Sequence, residues 1–194
     1  ALQSGLNIFK DVINAYGPTE TTIWSTAKLY TKDNVDIEHE ILSIGKPLSN
    51  EKVYILDKKL NPVPVGVVGD LYIGGSCLST GYLNAPELTA QKFIPNRIKC
   101  ALKESDHLYK TGDLARWLED GNIDYIGRDD FQIKLRGHRI ELGDIESALQ
   151  NDPRIKQCVV LIKNPDNSDN VSVEEQFLVA YYTSDQKLNN HELK

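Results

Sequence analysis

The run Leu114–Leu118, Glu119-Asp120-Gly121-Asn122, Ile123–Ile126 constrains the fold more than any other part of the chain. Asp-Gly is the tight-turn pair that joins two neighbouring antiparallel strands, so both flanking β-rich runs must lie side by side. The same punctuation begins upstream at Lys52. Val53–Leu56 reads as a strand, Asn61-Pro62 as a turn, Gly66 and Gly69 bracket a second turn, and Asp70–Ile73 reads as a strand ended by Gly74-Gly75. Residues 86–93 read as a helix, with Pro86 at its first position and Glu87 at the positive end of its dipole. Before this β-rich middle, Val12-Ile13 feeds a Gly17-Pro18 turn, and residues 31–50 form a polar surface connection.

The organisation changes after Arg128. Phe131–Leu135 alternates as a strand. Ile140–Asn151 places Leu142, Ile145, Ala148 and Leu149 at helical spacing until Pro153 stops it. Ile155–Lys163 and Gln176–Thr183 read as strands, with the polar connector Asn164–Glu175 between them. The expected fold class is therefore mixed α/β and α+β, with a boundary near Asp129-Asp130. In 194 residues, 40% apolar and 26% charged, there is material for such a core. A net charge of −6 disfavours broad nucleic-acid or membrane binding, while a few placed cations still serve a single nucleotide. Cys77, Cys100 and Cys158 have neither disulfide nor zinc-site spacing, and His39, His107, His138 and His191 have no metal-ligand spacing. No apolar run reaches membrane-spanning length and no signal peptide opens the chain, so a reducing cytoplasm is expected. The sequence has no methionine and stops within an expected helix, Asn189–Lys194, so both ends are expected to be cuts through a larger protein.

Three segments carry chemistry. In Asn14-Ala15-Tyr16-Gly17-Pro18-Thr19-Glu20 a hydroxyl and a carboxylate sit together at a strand end. Such a carboxylate suits Mg²⁺, which keeps several waters and bridges phosphate oxygens; a solvent-facing turn satisfies the same letters. In Tyr109-Lys110-Thr111-Gly112-Asp113 the acid follows a glycine and is expected to open a strand. A carboxylate accepts two hydrogen bonds at once and can clamp vicinal ribose hydroxyls, or it can cap a turn. The third segment, Asp124–Glu146, holds Tyr125, suited to stack on a purine, and Arg128, suited to phosphate or ribose oxygens, with Asp130, Lys134, Arg136 and Arg139 beyond. A charged face beside a core tyrosine is the plainer account of it.

The runs NAYGPTE, GDLYIGGSCLSTGYLNAPELTAQKF and YKTGDLARWLEDGNIDYIGRDDFQIKLRGHRIELGDIE, in this order and spacing, resemble the amino-acid adenylation domains of non-ribosomal peptide synthetases, within the adenylate-forming superfamily. The resemblance covers nearly the whole chain and implies its C-terminal portion. Residues 1–50 would close a large α/β core subdomain, 51–129 a distorted β-barrel, and 130–194 an incomplete small α+β domain. It implies ATP/AMP contacts for Asn14, Ala15, Tyr16, Gly17, Thr19, Asp113, Tyr125 and Arg128. Asn14 would bond the adenine amino group with Tyr16 beside the ring. Thr19 would contact phosphate and Glu20 would ligate Mg²⁺. Asp113 would hold the ribose, Tyr125 would stack on adenine, and Arg128 would reach ribose or phosphate. Thr19, Glu20 and Lys134 would be catalytic, and Asp130 the hinge of the small domain. Arg136-Gly137-His138-Arg139 would lie on the loop that swings in for the second half-reaction. Ala15, Ile23 and Trp24 would line the amino-acid pocket, where a large Trp24 favours a small or uncharged side chain unless it packs in the core instead. Asp70 and Asp144 stand where the family commonly has Glu, and Ser79-Thr80 where it has Ala-Arg; none of these is a nucleotide position.

The implied reaction joins an amino acid to AMP and passes it to the phosphopantetheine thiol of a downstream peptidyl carrier domain, with a condensation domain as neighbour. No protein nucleophile is expected, since alignment and charge neutralisation do the work. Another adenylate-forming ligase, such as an acyl-CoA synthetase or a D-alanine–carrier protein ligase, is the alternative, as is a non-catalytic fragment or docking piece. The family's upstream Ser/Thr/Gly-rich phosphate loop and its C-terminal lysine are not in this sequence. These 194 residues alone are therefore expected to form no adenylate, and a pyrophosphate-exchange assay checks this: clear turnover would contradict it.

Overall fold

The computed structural model describes residues 10–31, 42–98, 106–130, 132–136, 138–165, 176–186 and 188. The chain divides into two compact units, Ala1–Asp129 and Asp130–Lys194.

In the first unit, β1 (Asp11–Tyr16) pairs antiparallel with β2 (Thr26–Thr31), which carries the short β3 (Lys46–Pro47) on its other edge. A curled sheet follows, built from β4 (Glu51–Leu56), β5 (Gly69–Gly75), β6 (Phe93–Pro95), β7 (His107–Trp117) and β8 (Ile123–Arg128). Its order is β4-β5-β7-β6, and β8 also pairs with β7. The strand β5 is covered along nearly all its length, and its Leu71 and Ile73 join Val53, Ile55, Ala115 and Ile123 in the core. Ile44 belongs to the same cluster. Its N–H donates to the Ile123 carbonyl at 2.8 Å, and the Ile123 N–H donates to the Gly45 carbonyl at 2.9 Å. The small sheet is thus fastened to the curled one by backbone bonds as well as apolar burial. Helix α1 (Pro86–Lys92) bridges β5 and β6.

The hairpin of β7 and β8 forms as the Asp-Gly pair requires, with Gly121 at φ 78° and Trp117 opposite Ile123. Other elements differ from the sequence expectation. Strand β7 begins at His107, so Asp113 lies in mid-strand and does not open one. The N-terminal half of β7 is held by β6 and β5, a long-range pairing that local letters do not encode. Strands β2 and β3 fall partly within the stretch read as a polar connection, of which residues 32–41 lie outside the described residues.

The second unit contains β9 (Gln132–Leu135) and β10 (His138–Glu141) as a hairpin, helix α2 (Leu142–Gln150), and the hairpin of β11 (Gln157–Lys163) with β12 (Phe177–Thr183). The helix starts at Leu142 because residues 138–141 pair with β9, correcting the expected start at Ile140. The Glu146 side chain accepts the Val160 N–H at 2.8 Å, tying α2 to β11. The expected helix Asn189–Lys194, most of the connector 164–175, and Phe131, Gly137, Cys100, His39 and His191 lie outside the described residues. Cys77 is buried and Cys158 half-buried, both as free thiols. Among the described residues no helix is long and apolar enough to cross a membrane.

Gly45 and Gly66 both have left-handed backbone, at φ 86° and 83°, but differ in surroundings. A Cβ on Gly45 would lie 2.0 Å from the Ala27 carbonyl oxygen, whereas one on Gly66 meets nothing within 4 Å. Gly66→Ala should cost only the conformational strain, about 1–2 kcal/mol. Gly45→Ala should cost about 4 kcal/mol or more because backbone must move. Urea denaturation of the two variants checks the ranking; equal losses would contradict it.

Candidate functional site

The chain leaves β1 at Tyr16 and turns back within nine residues to start β2. Gly17 makes this possible: a Cβ there would lie 2.4 Å from the Ile23 carbonyl oxygen and 2.8 Å from the Trp24 Cα. The Ser25 N–H closes the turn on the Tyr16 carbonyl at 2.8 Å, and buried Thr21 and Ser25 hydroxyls meet at 2.7 Å. Thr22 and Ile23 take left-handed backbone, at φ 60° and 78°. For a β-branched residue this is strained, and such strain clusters at functional turns. Its effect is to direct Ile23 and Trp24 outward, 65% and 62% exposed. Trp24 is therefore not a core residue. Ala15 is also exposed, on the face of β1 opposite Asn14.

Thr19 and Glu20 share a single 3₁₀ turn, Thr19–Thr21. Thr19 is exposed, whereas Glu20 is only 7% exposed, so the solvent-facing reading of this turn holds for the hydroxyl and not for the acid. Glu20 Oε1 accepts the Tyr82 phenol at 2.6 Å. Burial first, and then this bond to Glu20, push the Tyr82 phenol well above its ordinary range, so it remains a proton donor. Among the described residues no group of three His, Cys, Asp or Glu side chains is placed to hold a metal. A single inward carboxylate beside a turn suits Mg²⁺, which takes one or two carboxylates and completes its shell with water and substrate phosphates; a closed protein cage for zinc or calcium has no counterpart there.

Asp113, 4% exposed, is the second acid. Its Oδ2 accepts the Tyr16 phenol, 97 residues away in sequence. Its Oδ1 accepts Arg128 Nη1 at 2.9 Å and faces the Tyr125 phenol at 3.5 Å. Arg128 Nη2 also donates to the Thr111 carbonyl at 3.2 Å. This convergence depends on a register shift. Asp113 pairs with Arg128 and Leu114 with Gly127, but Ala115 pairs with Tyr125, leaving one extra residue in β8. In a regular strand positions 125 and 128 face opposite sides; the bulge at Gly127, φ 152°, lets both side chains reach Asp113. The Tyr16 and Tyr125 rings lie 6.0 Å apart with planes tilted by 43°. Tyr125 is partly exposed, not a core tyrosine. Burial first, then the Asp113 charge, raise the Tyr16 phenol far above its ordinary range. On β1, Asn14 Nδ2 donates to the Ser43 carbonyl at 2.9 Å, which fixes the amide.

The first unit therefore brings Tyr16, Asp113, Tyr125 and Arg128 together and sets Glu20 four residues beyond Tyr16. Asp130 is the first residue of the second unit, and its Oδ1 accepts the Gln132 N–H at 3.2 Å. Lys134 lies in β9 opposite Arg139; its side chain lies outside the described residues. Two contacts escaped the sequence reading: the Ser43 carbonyl, which has no side-chain signal, and Tyr82. Tyr82 lies inside a quoted motif, but its bond to Glu20 spans 62 residues.

The AMP-binding enzyme family model matches residues 2–83. The chain is 43% identical over its whole length to a dimodular nonribosomal peptide synthase of Bacillus subtilis, covering 8% of that protein. It is 46% identical over 94% of its length to bacitracin synthase 2 of Bacillus licheniformis, covering 7% of that protein. It thus spans less than a tenth of these curated relatives. Among solved structures, an NRPS protein containing adenylation and PCP domains aligns with TM-score 0.75 and 28% identity, over 93% of this chain and 34% of that one. A four-domain nonribosomal peptide synthetase bound to AMP and glycine aligns with TM-score 0.59 and 40% identity, over 100% of this chain and 14% of that one.

The raised Tyr16 phenol gives an alkaline signature. Above about pH 10 an unfolded tyrosine ionises while the folded Tyr16 keeps its proton, so its contribution to stability falls as pH rises. Tyr16→Phe should destabilise at neutral pH, and its deficit against the parent should shrink by about 1.4 kcal/mol per pH unit above pH 10. Denaturation curves at pH 8 and pH 11 check this; a constant deficit would contradict it.

Proposed function

We propose, from the premise that the chain belongs to the AMP-binding enzyme family as an adenylation-domain segment of the non-ribosomal peptide synthetase type, that it supplies the nucleotide-holding half of an amino-acid-activating site. The observation that carries the proposal is the meeting of Tyr16, Tyr125 and Arg128 on the buried carboxylate of Asp113. A buried acid must be balanced, and polar donors that can also serve a ligand provide that balance. Ribose hydroxyls would replace donors on the Asp113 oxygens, freeing the Arg128 guanidinium for ribose or phosphate oxygens. Tyr125, partly exposed beside Asp113, would stack on adenine, and Asn14 would meet the adenine edge from β1.

Thr19 and Glu20 would lie toward the phosphates, with the hydroxyl donating to a phosphate oxygen and the carboxylate holding Mg²⁺. That ion would neutralise charge on the phosphate oxygens. The amino-acid carboxylate would attack the α-phosphorus, forming a carboxyl oxygen–phosphorus bond, while pyrophosphate leaves with the electrons of the broken phosphoanhydride bond. The protein's share is alignment and electrostatic stabilisation. Outward Ile23 and Trp24, with Ala15, would border the amino-acid side chain. The phosphopantetheine thiol of a carrier domain, a partner suggested by the PCP domain in the structural relative, would then attack the acyl carbon of the adenylate, forming a thioester as the acyl–oxygen bond breaks and AMP leaves. For that step Asp130 would serve as pivot, since a few residues at an element boundary absorb the dihedral change, and Lys134 would act from β9. A neighbouring condensation domain and a cytoplasmic setting complete the reading.

In the intact protein, Asp113→Ala should raise the KM for ATP in amino-acid-dependent pyrophosphate exchange by roughly tenfold to a hundredfold, as expected for lost hydrogen bonds to a charged group. An unchanged ATP dependence would count against the ribose role.

A further inference from the structure

The loop between β5 and α1 has no nucleotide role in the reading above, yet it is stitched to the Glu20 turn. The Thr22 hydroxyl donates to the Cys77 carbonyl at 2.7 Å, and the Ser79 N–H donates to the Glu20 carbonyl at 2.8 Å. The third stitch is the Tyr82 phenol on Glu20 Oε1 at 2.6 Å. Tyr82 is itself fixed from several sides. Its N–H donates to Thr89 Oγ1 at 2.9 Å, and that hydroxyl donates onward to the Ala85 carbonyl at 2.9 Å. The preceding Gly81 has φ 129° and lies so close to Thr89 that a Cβ would come within 2.4 Å of its Cγ2. The Tyr82 ring stands edge-on to Phe93 with centroids 5.8 Å apart, and Phe93 packs in turn on Tyr109 at 5.1 Å.

The geometry points to Tyr82 as a positioning residue for the metal-binding carboxylate: its phenol holds Glu20 Oε1 in one orientation so that the carboxylate presents a fixed donor to a divalent cation. This rests on the reading of Glu20 as a Mg²⁺ ligand. A carboxylate offers about four lone-pair directions, and the phenol uses one of them. A neutral donor suits this task better than a lysine or arginine, because it orients the carboxylate without cancelling the charge that attracts the cation. Hydrogen bonds from an outer shell fix ligand orientation in this way, and their loss typically weakens metal binding. The anchoring of Tyr82 through the close Gly81–Thr89 approach and its N–H bond to Thr89 lets a phenol on one loop define a carboxylate 62 residues away.

The test uses the intact protein with Mn²⁺ as probe, bound in the presence of a non-hydrolysable ATP analogue and followed by electron paramagnetic resonance. Tyr82→Phe keeps the ring on Phe93 and removes only the phenol oxygen. It should weaken Mn²⁺ binding roughly tenfold, leave binding of the metal-free nucleotide unchanged, and raise the Mg²⁺ concentration needed for half-maximal exchange. Glu20→Gln should weaken Mn²⁺ binding at least as much. Phe93→Leu loosens the ring packing but keeps the phenol, and should leave metal affinity near that of the parent. If Glu20→Gln weakens Mn²⁺ binding and Tyr82→Phe does not, the positioning role is overturned while the Glu20 reading stands. If Glu20→Gln leaves it unchanged, the Glu20 reading fails and the positioning role with it. A loss in Phe93→Leu equal to that in Tyr82→Phe would assign the effect to packing and overturn the role of the phenol.

Discussion

A charge at 4% exposure cannot persist in a protein without compensation, and Asp113 is compensated by groups from two other strands, β1 and β8. Arg128, itself held by the Thr111 carbonyl, supplies the opposite charge, and Tyr16 a neutral donor. Leaving such a carboxylate unpaired would cost several kcal/mol, so its partners hold β1, β7 and β8 in one arrangement. The same demand gives the site its chemistry. In the proposed function, donors held on an acid by hydrogen bonds, with a half-exposed aromatic ring beside them, would be exchanged for the hydroxyls of a ligand.

Two local distortions let ordinary strands reach that arrangement. The extra residue in β8 places Tyr125 and Arg128 on the same acid, which regular alternation forbids. The crowded return from Gly17 to Ser25 sets Glu20 inward and Trp24 outward within five residues. Its left-handed Thr22 and Ile23 carry conformational strain. That strain is offset by the buried Thr21–Ser25 contact and by the Thr22 hydroxyl bonded across to Cys77. The loop carrying Cys77 and Tyr82 is therefore part of the same construction.

Much of this was legible beforehand where the signal was local. Asp-Gly at 120–121 fixed the β7–β8 hairpin, the apolar spacing of Leu142, Ile145 and Leu149 marked α2, and the β-rich runs at 53–56 and 70–73 formed strands. Starts and ends were less legible. Asp113 was expected at a strand start and lies within one, because β5 and β6 extend β7 backwards through pairing. Residues 140–141 are expected to begin a helix and instead end β10, because the β9 partner outweighs their local preference.

The sequence by itself determined the kinds of groups available: two acids, a guanidinium, three phenols and a hydroxyl in recognisable runs, and the turns that punctuate them. Tertiary structure alone decided which of them meet. That Tyr16 donates to Asp113, that one extra residue in β8 sends Arg128 to the same oxygen Tyr125 faces, and that Tyr82 reaches Glu20 are all consequences of strand register and loop packing. Register follows from summed pairing and burial across distant segments, and no single window of the chain contains that sum.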